Sequence, residues 1–175
     1  MIVKFVQGQR KGKTALIVGS ILWLMGYGGY RPSECCGNFN IFVDGYRKFT
    51  NAQMLALLKV MVQKHVRHRV VGLTEADRLF PPRNWHNKEQ TNALIGLWQD
   101  EKLDNWFLYD THWGDVDILL REATQIIVVP EYHPELDSIW VEIISKIDRI
   151  PSISAEVTGV SRRIFPWYDT KEPCV

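Results

Sequence analysis

The stretch VQGQRKGKTAL, residues 6–16, stands between the apolar opening MIVKFV and a second apolar run reaching Met25. A chain of this kind has few ways to fold: a short buried strand ends near Gly8, a tight loop turns, and a helix begins at the Gly-Lys-Thr. In that arrangement the backbone N–H groups at the helix start converge on an anion, the lysine places a point charge at terminal phosphates, and the hydroxyl offers a ligand to Mg²⁺. Gly8, Gln9, Arg10, Lys11, Gly12, Lys13, Thr14 and Ala15 are therefore the expected nucleotide-contacting residues, with ATP and Mg²⁺ as their ligands. The loop departs from the general spacing G-x-x-x-x-G-K-[ST], because Gln7 stands where that pattern wants glycine. A bare Gly-Lys-Thr also begins ordinary helices; its place between strand and apolar helix favours the phosphate reading.

The remainder alternates in type. Phe39–Val43 reads as a strand, and Asn51 as the cap of a helix carrying Met54, Leu57, Leu58, Met61 and Val62. Val70–Thr74 is a second apolar strand, Asn87–Glu101 a helix, Trp106–Thr111 a strand, DVDILLREA a short helix and Gln125–Val129 another strand. Residues 26–38, rich in Gly, Pro and Ser, read as loop. Strands separated by helices imply crossover connections and a parallel sheet covered on both faces. From Ile139 the pattern changes to two strands joined through Pro151. With 175 residues the chain is expected to form one domain, residues 1–130 as a nucleotide-binding core and 131–175 as C-terminal strands and tail.

Composition sets limits on partners. Lys+Arg total 21 against 20 Asp+Glu, so any contact with nucleic acid depends on local patches. Lys64, Arg67 and Arg69 form one patch and Arg162 and Arg163 another, although such clusters are usually solvated faces. Arg47 and Lys48, flanked by Tyr46 and Phe49, combine charge with aromatic faces as a strand-tracking loop does. Cys35, Cys36 and Cys174 form no CxxC pair, which points to reduced thiols in a cytoplasmic setting and argues against structural zinc. The run Ala15–Met25 is short of the roughly 20 residues of a membrane span, so no stable insertion is expected.

Nucleotide hydrolysis needs an acid at the end of a neighbouring strand to orient water and serve the metal. Glu75 follows Val70–Thr74 directly; it is either that catalytic carboxylate and metal partner or the cap of the next helical turn.

With these residues in view, EADRLFPPR after an apolar strand resembles the "DEA…FPPR" stretch of zonula occludens toxin-like phage ATPases of the HerA and FtsK superfamily. WFLYDTHWGDVDILLREATQIIVV is similar to that family's next strand, arginine-bearing helix and strand, and PWYDTKE to the close of its phage members. The resemblance implies an α/β, RecA-like P-loop NTPase with a mostly parallel central sheet flanked by helices and a C-terminal strand pair. It further implies a ring-forming ATPase that moves double-stranded DNA in viral genome packaging, with a portal or capsid protein as partner and a place in the host cytoplasm or virion. His112 becomes the sensor of the γ-phosphate, against the alternative of an ordinary strand-end histidine. Arg121, or else Arg83, becomes an arginine completing a neighbour's site, where Arg121 could equally pair with Asp117 or Glu122. Two departures stand out. Gln9-Arg10-Lys11 resembles the shortened, arginine-bearing loops of large terminases, and Thr74 replaces the metal-side aspartate. The rival expectations are a phage assembly and export ATPase of the toxin type and a nucleotide-binding scaffold without catalysis.

Overall fold

The structure, a computed structural model, describes residues 1–6, 12–81, 88–111, 116, 118–148 and 150–168. Its elements in chain order are β1 (Ile2–Phe5), α1 (Lys13–Gly26), β2 (Cys35–Gly37), β3 (Arg47–Lys48), α2 (Asn51–Gln63), β4 (Val70–Leu73), α3 (Lys88–Gln99), β5 (Trp106–Asp110), α4 (Ile118–Ala123), β6 (Ile126–His133), β7 (Ser138–Ser145), β8 (Ile153–Thr158) and α5 (Val160–Arg163).

The strands form one eight-stranded sheet in the order β3-β2-β4-β5-β1-β6-β7-β8. β1 to β6 pair in parallel, and β7 and β8 extend the sheet as an antiparallel pair. The crossovers that parallel pairing requires place helices on both faces, and two cores result. Val3, Phe5, Val70, Leu108 and Val128 meet Leu16, Ile17, Val18, Ile21 and Leu24 of α1 on one face. Ile2, Val71, Leu73, Phe107 and Tyr109 meet Met54, Leu58 and Met61 of α2, Leu97 and Trp98 of α3 and Leu120 of α4 on the other. Consecutive strand residues thus enter opposite cores, which is why β1, β4 and β5 read as mostly apolar runs, interrupted only by Lys4 and by the terminal Asp110, rather than as alternating ones.

Three expectations shift. The strand expected at Phe39–Val43 lies earlier, at Cys35–Gly37, inside the stretch that reads as loop. Phe39 and Ile41 alternate because both are loop residues buried against the α1-side core. Gly37 belongs in the strand because a Cβ there would sit 2.6 Å from the Gly72 carbonyl oxygen. The cap of α2 is Thr50, one residue before Asn51: its hydroxyl accepts the Gln53 N–H at 3.3 Å while Gln53 Oε1 accepts the Thr50 N–H at 2.9 Å, a reciprocal box. Finally, β6 runs through Pro130 to His133. Its pairing with β1 stops at Phe5↔Val128, so among the described residues Pro130 pairs with β7 alone, and the missing N–H breaks no described ladder on the β1 side.

Candidate nucleotide site

In a parallel sheet ligands gather outside the carboxyl ends of the strands. Here β4, β5 and β1 stand side by side in that order and finish together, with Phe5 opposite Asp110 and Leu73 opposite Tyr109. The chain leaving β1 returns as α1 through Gly12, whose φ of 87° is left-handed. A Cβ at Gly12 would also lie 2.9 Å from Ile139 Cδ1, so both backbone and space call for glycine. Among the described residues no side chain caps α1 and its first turn carries no acid, an arrangement compatible with an anion at the helix start. Lys13 is buried, 8% exposed, and its Nζ donates to the carbonyl of Thr111, the residue after β5, at 2.6 Å.

The acids lie across this opening. Glu75 adopts a left-handed backbone, φ 54°, unusual for a residue with a Cβ and costly unless its surroundings impose it. Its N–H donates to Asp110 Oδ1 at 2.7 Å, and its carboxylate pairs with Arg78 Nε at 2.8 Å. Asp110 is 4% exposed. Burial pushes its carboxyl up to about 6, with the Glu75 N–H and the Lys13 ammonium acting in the opposite direction. Beside it Thr74 is tied to Asn38 three times: Thr74 N–H and Oγ1 donate to Asn38 Oδ1 at 2.9 and 3.2 Å, and Asn38 Nδ2 donates to the Thr74 carbonyl at 2.8 Å. Asn38 Nδ2 also reaches Asn51 Oδ1 at 3.0 Å, so the start of α2 is bound to the same point.

The sequence-expected residues separate accordingly. Gly12, Lys13, Thr14, Ala15 and Glu75 are brought to one end of the sheet. Gly8, Gln9, Arg10, Lys11, Arg83 and His112 lie outside the described residues. Arg121 is at the other end: it belongs to the last turn of α4, which leads to the amino end of β6. Its carbonyl accepts Lys146 Nζ at 3.4 Å, beside the Ser145↔Ile126 pair that opens β6. Arg47 and Lys48 are exposed on the edge strand β3, whereas Lys64, Arg67 and Arg69 precede the amino end of β4. Sequence reading missed Asp110 and Asn38. Asp110 carries the signal that drew attention to Glu75, an acid closing an apolar strand, whereas Asn38 in its glycine-rich loop carries none.

Among the described residues no three His, Cys, Asp or Glu side chains cluster as a metal cage. The donor set present is the other kind, a threonine hydroxyl at a helix start with carboxylates opposite. It suits Mg²⁺, which is held by one or two carboxylates together with substrate phosphates. Among the described residues no helix is long and apolar enough to cross a membrane.

No family model matches the chain, and no curated protein matches its sequence. Solved structures do resemble it. The N-terminal domain of zonular occludens toxin from Neisseria meningitidis is similar at a TM-score of 0.65 and 13% identity, over 96% of this chain and 98% of that one. The genome packaging NTPase of Sulfolobus turreted icosahedral virus 2, solved with ATP-gammaS, is similar at a TM-score of 0.57 and 11% identity, over 87% of this chain and 95% of that one. A KaiC-like protein from Pyrococcus horikoshii is similar at 0.51 and 10% identity, over 89% and 82% of the two chains. At such identities the likeness is one of fold, and the fold is that of the RecA-like P-loop NTPases.

Proposed function

We propose that the protein is an ATP-hydrolysing motor subunit that assembles into a ring and moves double-stranded DNA, most simply in viral genome packaging alongside a portal or capsid protein. The observation that carries the reading is the meeting of Gly12 and Lys13 with Glu75 at the carboxyl ends of β1 and β4, with Asp110 between them. The backbone N–H groups at the start of α1 and the shortened loop, Gly8 to Gly12, cradle the phosphates. Lys13, whose ammonium here donates to the Thr111 carbonyl, would exchange that partner for the β and γ phosphates. Thr14 and Glu75 are the residues that would hold Mg²⁺, which when bound neutralises charge on the phosphates. Glu75, once its carboxylate leaves Arg78, accepts a hydrogen bond from water and orients it for in-line attack. His112 senses the γ-phosphate, and Arg121 or Arg83 of a neighbouring subunit stabilises charge spreading over the transferred group. Arg47 and Lys48 on the exposed edge strand are the first candidates for DNA phosphate contact.

Two other readings have observations of their own. A phage assembly or export ATPase is favoured by the likeness to the toxin domain over nearly the whole chain. A nucleotide-binding scaffold is favoured by Thr74, which leaves position 74 without a carboxylate. ATP hydrolysis measured with and without double-stranded DNA separates them: a motor is stimulated by DNA, an export ATPase turns over without responding to it, and a scaffold binds ATP without turnover. Lys13→Ala should abolish ATP binding in calorimetry, since no described residue at the helix start replaces its charge. Unchanged affinity would remove the basis for all three.

A further inference from the structure

We propose that Asp110, at the end of β5, is the carboxylate that serves the metal side of the bound nucleotide, one strand away from the position where Thr74 lacks an acid. This rests on the nucleotide-binding reading above and adds a residue to that site.

Thr74 has no carboxylate and is tied to Asn38. Its hydroxyl is turned to Asn38 Oδ1 at 3.2 Å, its N–H and carbonyl are bound to the same side chain, and it is buried. The parallel register sets Leu73 opposite Tyr109, so the next residue of each strand, Thr74 and Asp110, lie abreast. The carboxylate is therefore shifted sideways by one strand at the same height. The shift brings it to the end of β1, because β5 is the neighbour of β1 and Asp110 is in register with Phe5. Alternation sets its face: Phe107 and Tyr109 enter the core under α2 to α4, Leu108 enters the core under α1, and Asp110 shares the α1 face. Lys13 opens α1 on that face with its ammonium on the carbonyl of Thr111, the very next residue. The Glu75 N–H at 2.7 Å fixes the orientation of the carboxylate through one oxygen. The same bond holds the left-handed backbone of Glu75, so the metal-side acid and the water-positioning acid are set by a single contact.

The test uses Mn²⁺ in place of Mg²⁺ and a non-hydrolysable ATP analogue, with free Mn²⁺ read by electron paramagnetic resonance. Asp110→Asn, which keeps the shape and the acceptor for the Glu75 N–H, should bind the analogue in EDTA as the wild type does. Its Mn²⁺ affinity in the analogue complex should fall by about 10-fold or more, the range seen when an outer carboxylate of a metal site is removed. Thr74→Ala should leave Mn²⁺ affinity unchanged. Equal Mn²⁺ affinity in folded Asp110→Asn and wild type, or a loss in Thr74→Ala as large as that expected for Asp110→Asn, overturns the proposal. The wild type answers the same question if the variant does not fold. With Fe²⁺, ascorbate and peroxide, main-chain cuts are expected beside both Thr14 and Asp110, and cuts beside Thr14 with none beside Asp110 overturn it. A wild type that binds no analogue in EDTA or with Mn²⁺ overturns the nucleotide-binding reading itself, a result distinct from analogue binding with an indifferent Asp110.

Discussion

At Glu75 three constraints meet: a left-handed backbone, an N–H committed to Asp110 and a carboxylate held by Arg78. Glu75→Gln keeps the first two, so ATP binding should persist while hydrolysis falls by roughly two orders of magnitude or more, as for loss of a group that orients water. Surviving turnover in a phosphate-release assay would reduce Glu75 to the cap of the turn that follows β4. Asp110 makes a separate prediction about the ligand-free protein. Its carboxyl is raised by burial from 3.8 to about 6, so the folded state favours the neutral acid. That contribution is fully present below the unfolded value and is lost as pH rises through the folded one, by about 3 kcal/mol at most. Urea unfolding at pH 4 and pH 7.5 should show this loss in the wild type and not in Asp110→Asn; equal slopes would mean that the carboxylate is solvated in the folded protein. Both acids close apolar strands and were equally open to a sequence reading. Around Glu75 the stretch EADRLFPPR also resembles a known motif, whereas beside Asp110 the resemblance assigns a role to His112 instead.

Among the elements, β1, β4 and β5 were legible because burial on both faces leaves mostly apolar residues, and α2 because one stripe of it meets the sheet. β2 was not. Three residues, Cys35-Cys36-Gly37, carry no period, and what makes them a strand is pairing with β4 across 35 residues of sequence. The contact that sets this pairing is glycine against glycine. A Cβ on Gly72 would come within 2.8 Å of Ile21 Cδ1 and 2.9 Å of Phe39 Cζ, and one on Gly37 would strike the Gly72 carbonyl. Ile21 is the end of a flexible chain but Phe39 is a ring pinned in the core, so Gly72→Ala should overpack the α1-side core and destabilise the fold by about 1–3 kcal/mol. A urea midpoint equal to that of the wild type would show that Phe39 moves aside freely. The same substitution should weaken ATP binding little, because β4 reaches the site only through Thr74 and Glu75, beyond Gly72.

For the whole molecule, the near balance of 21 basic and 20 acidic residues means that the proposed contact with DNA would depend on local surfaces, and the residues assigned to the proposed motor lie at both ends of the sheet. Lys13 and Glu75 stand at the carboxyl end of the parallel strands, while Arg121 stands by the amino end of β6. The sequence order of these residues was plain; that they face opposite ends was not, because it follows from how the crossovers return. So placed, Arg121 stands away from the nucleotide site of its own chain, and in the proposed ring a neighbouring subunit would bring it to one. Arg121→Ala subunits should therefore bind ATP normally and fail to hydrolyse it. Glu75→Gln subunits fail too, yet they carry an intact Arg121, while Arg121→Ala subunits carry an intact Glu75. Mixed in one ring, some interfaces join the intact halves, and ATPase activity should rise from zero for either protein alone to a maximum near equal mixing. If both residues served the same subunit's nucleotide, no mixture could recover activity. A flat line at zero, with mixed rings verified by native mass spectrometry, would transfer the trans-acting role to Arg83, and full activity of Arg121→Ala alone would leave Arg121 as a surface residue of α4.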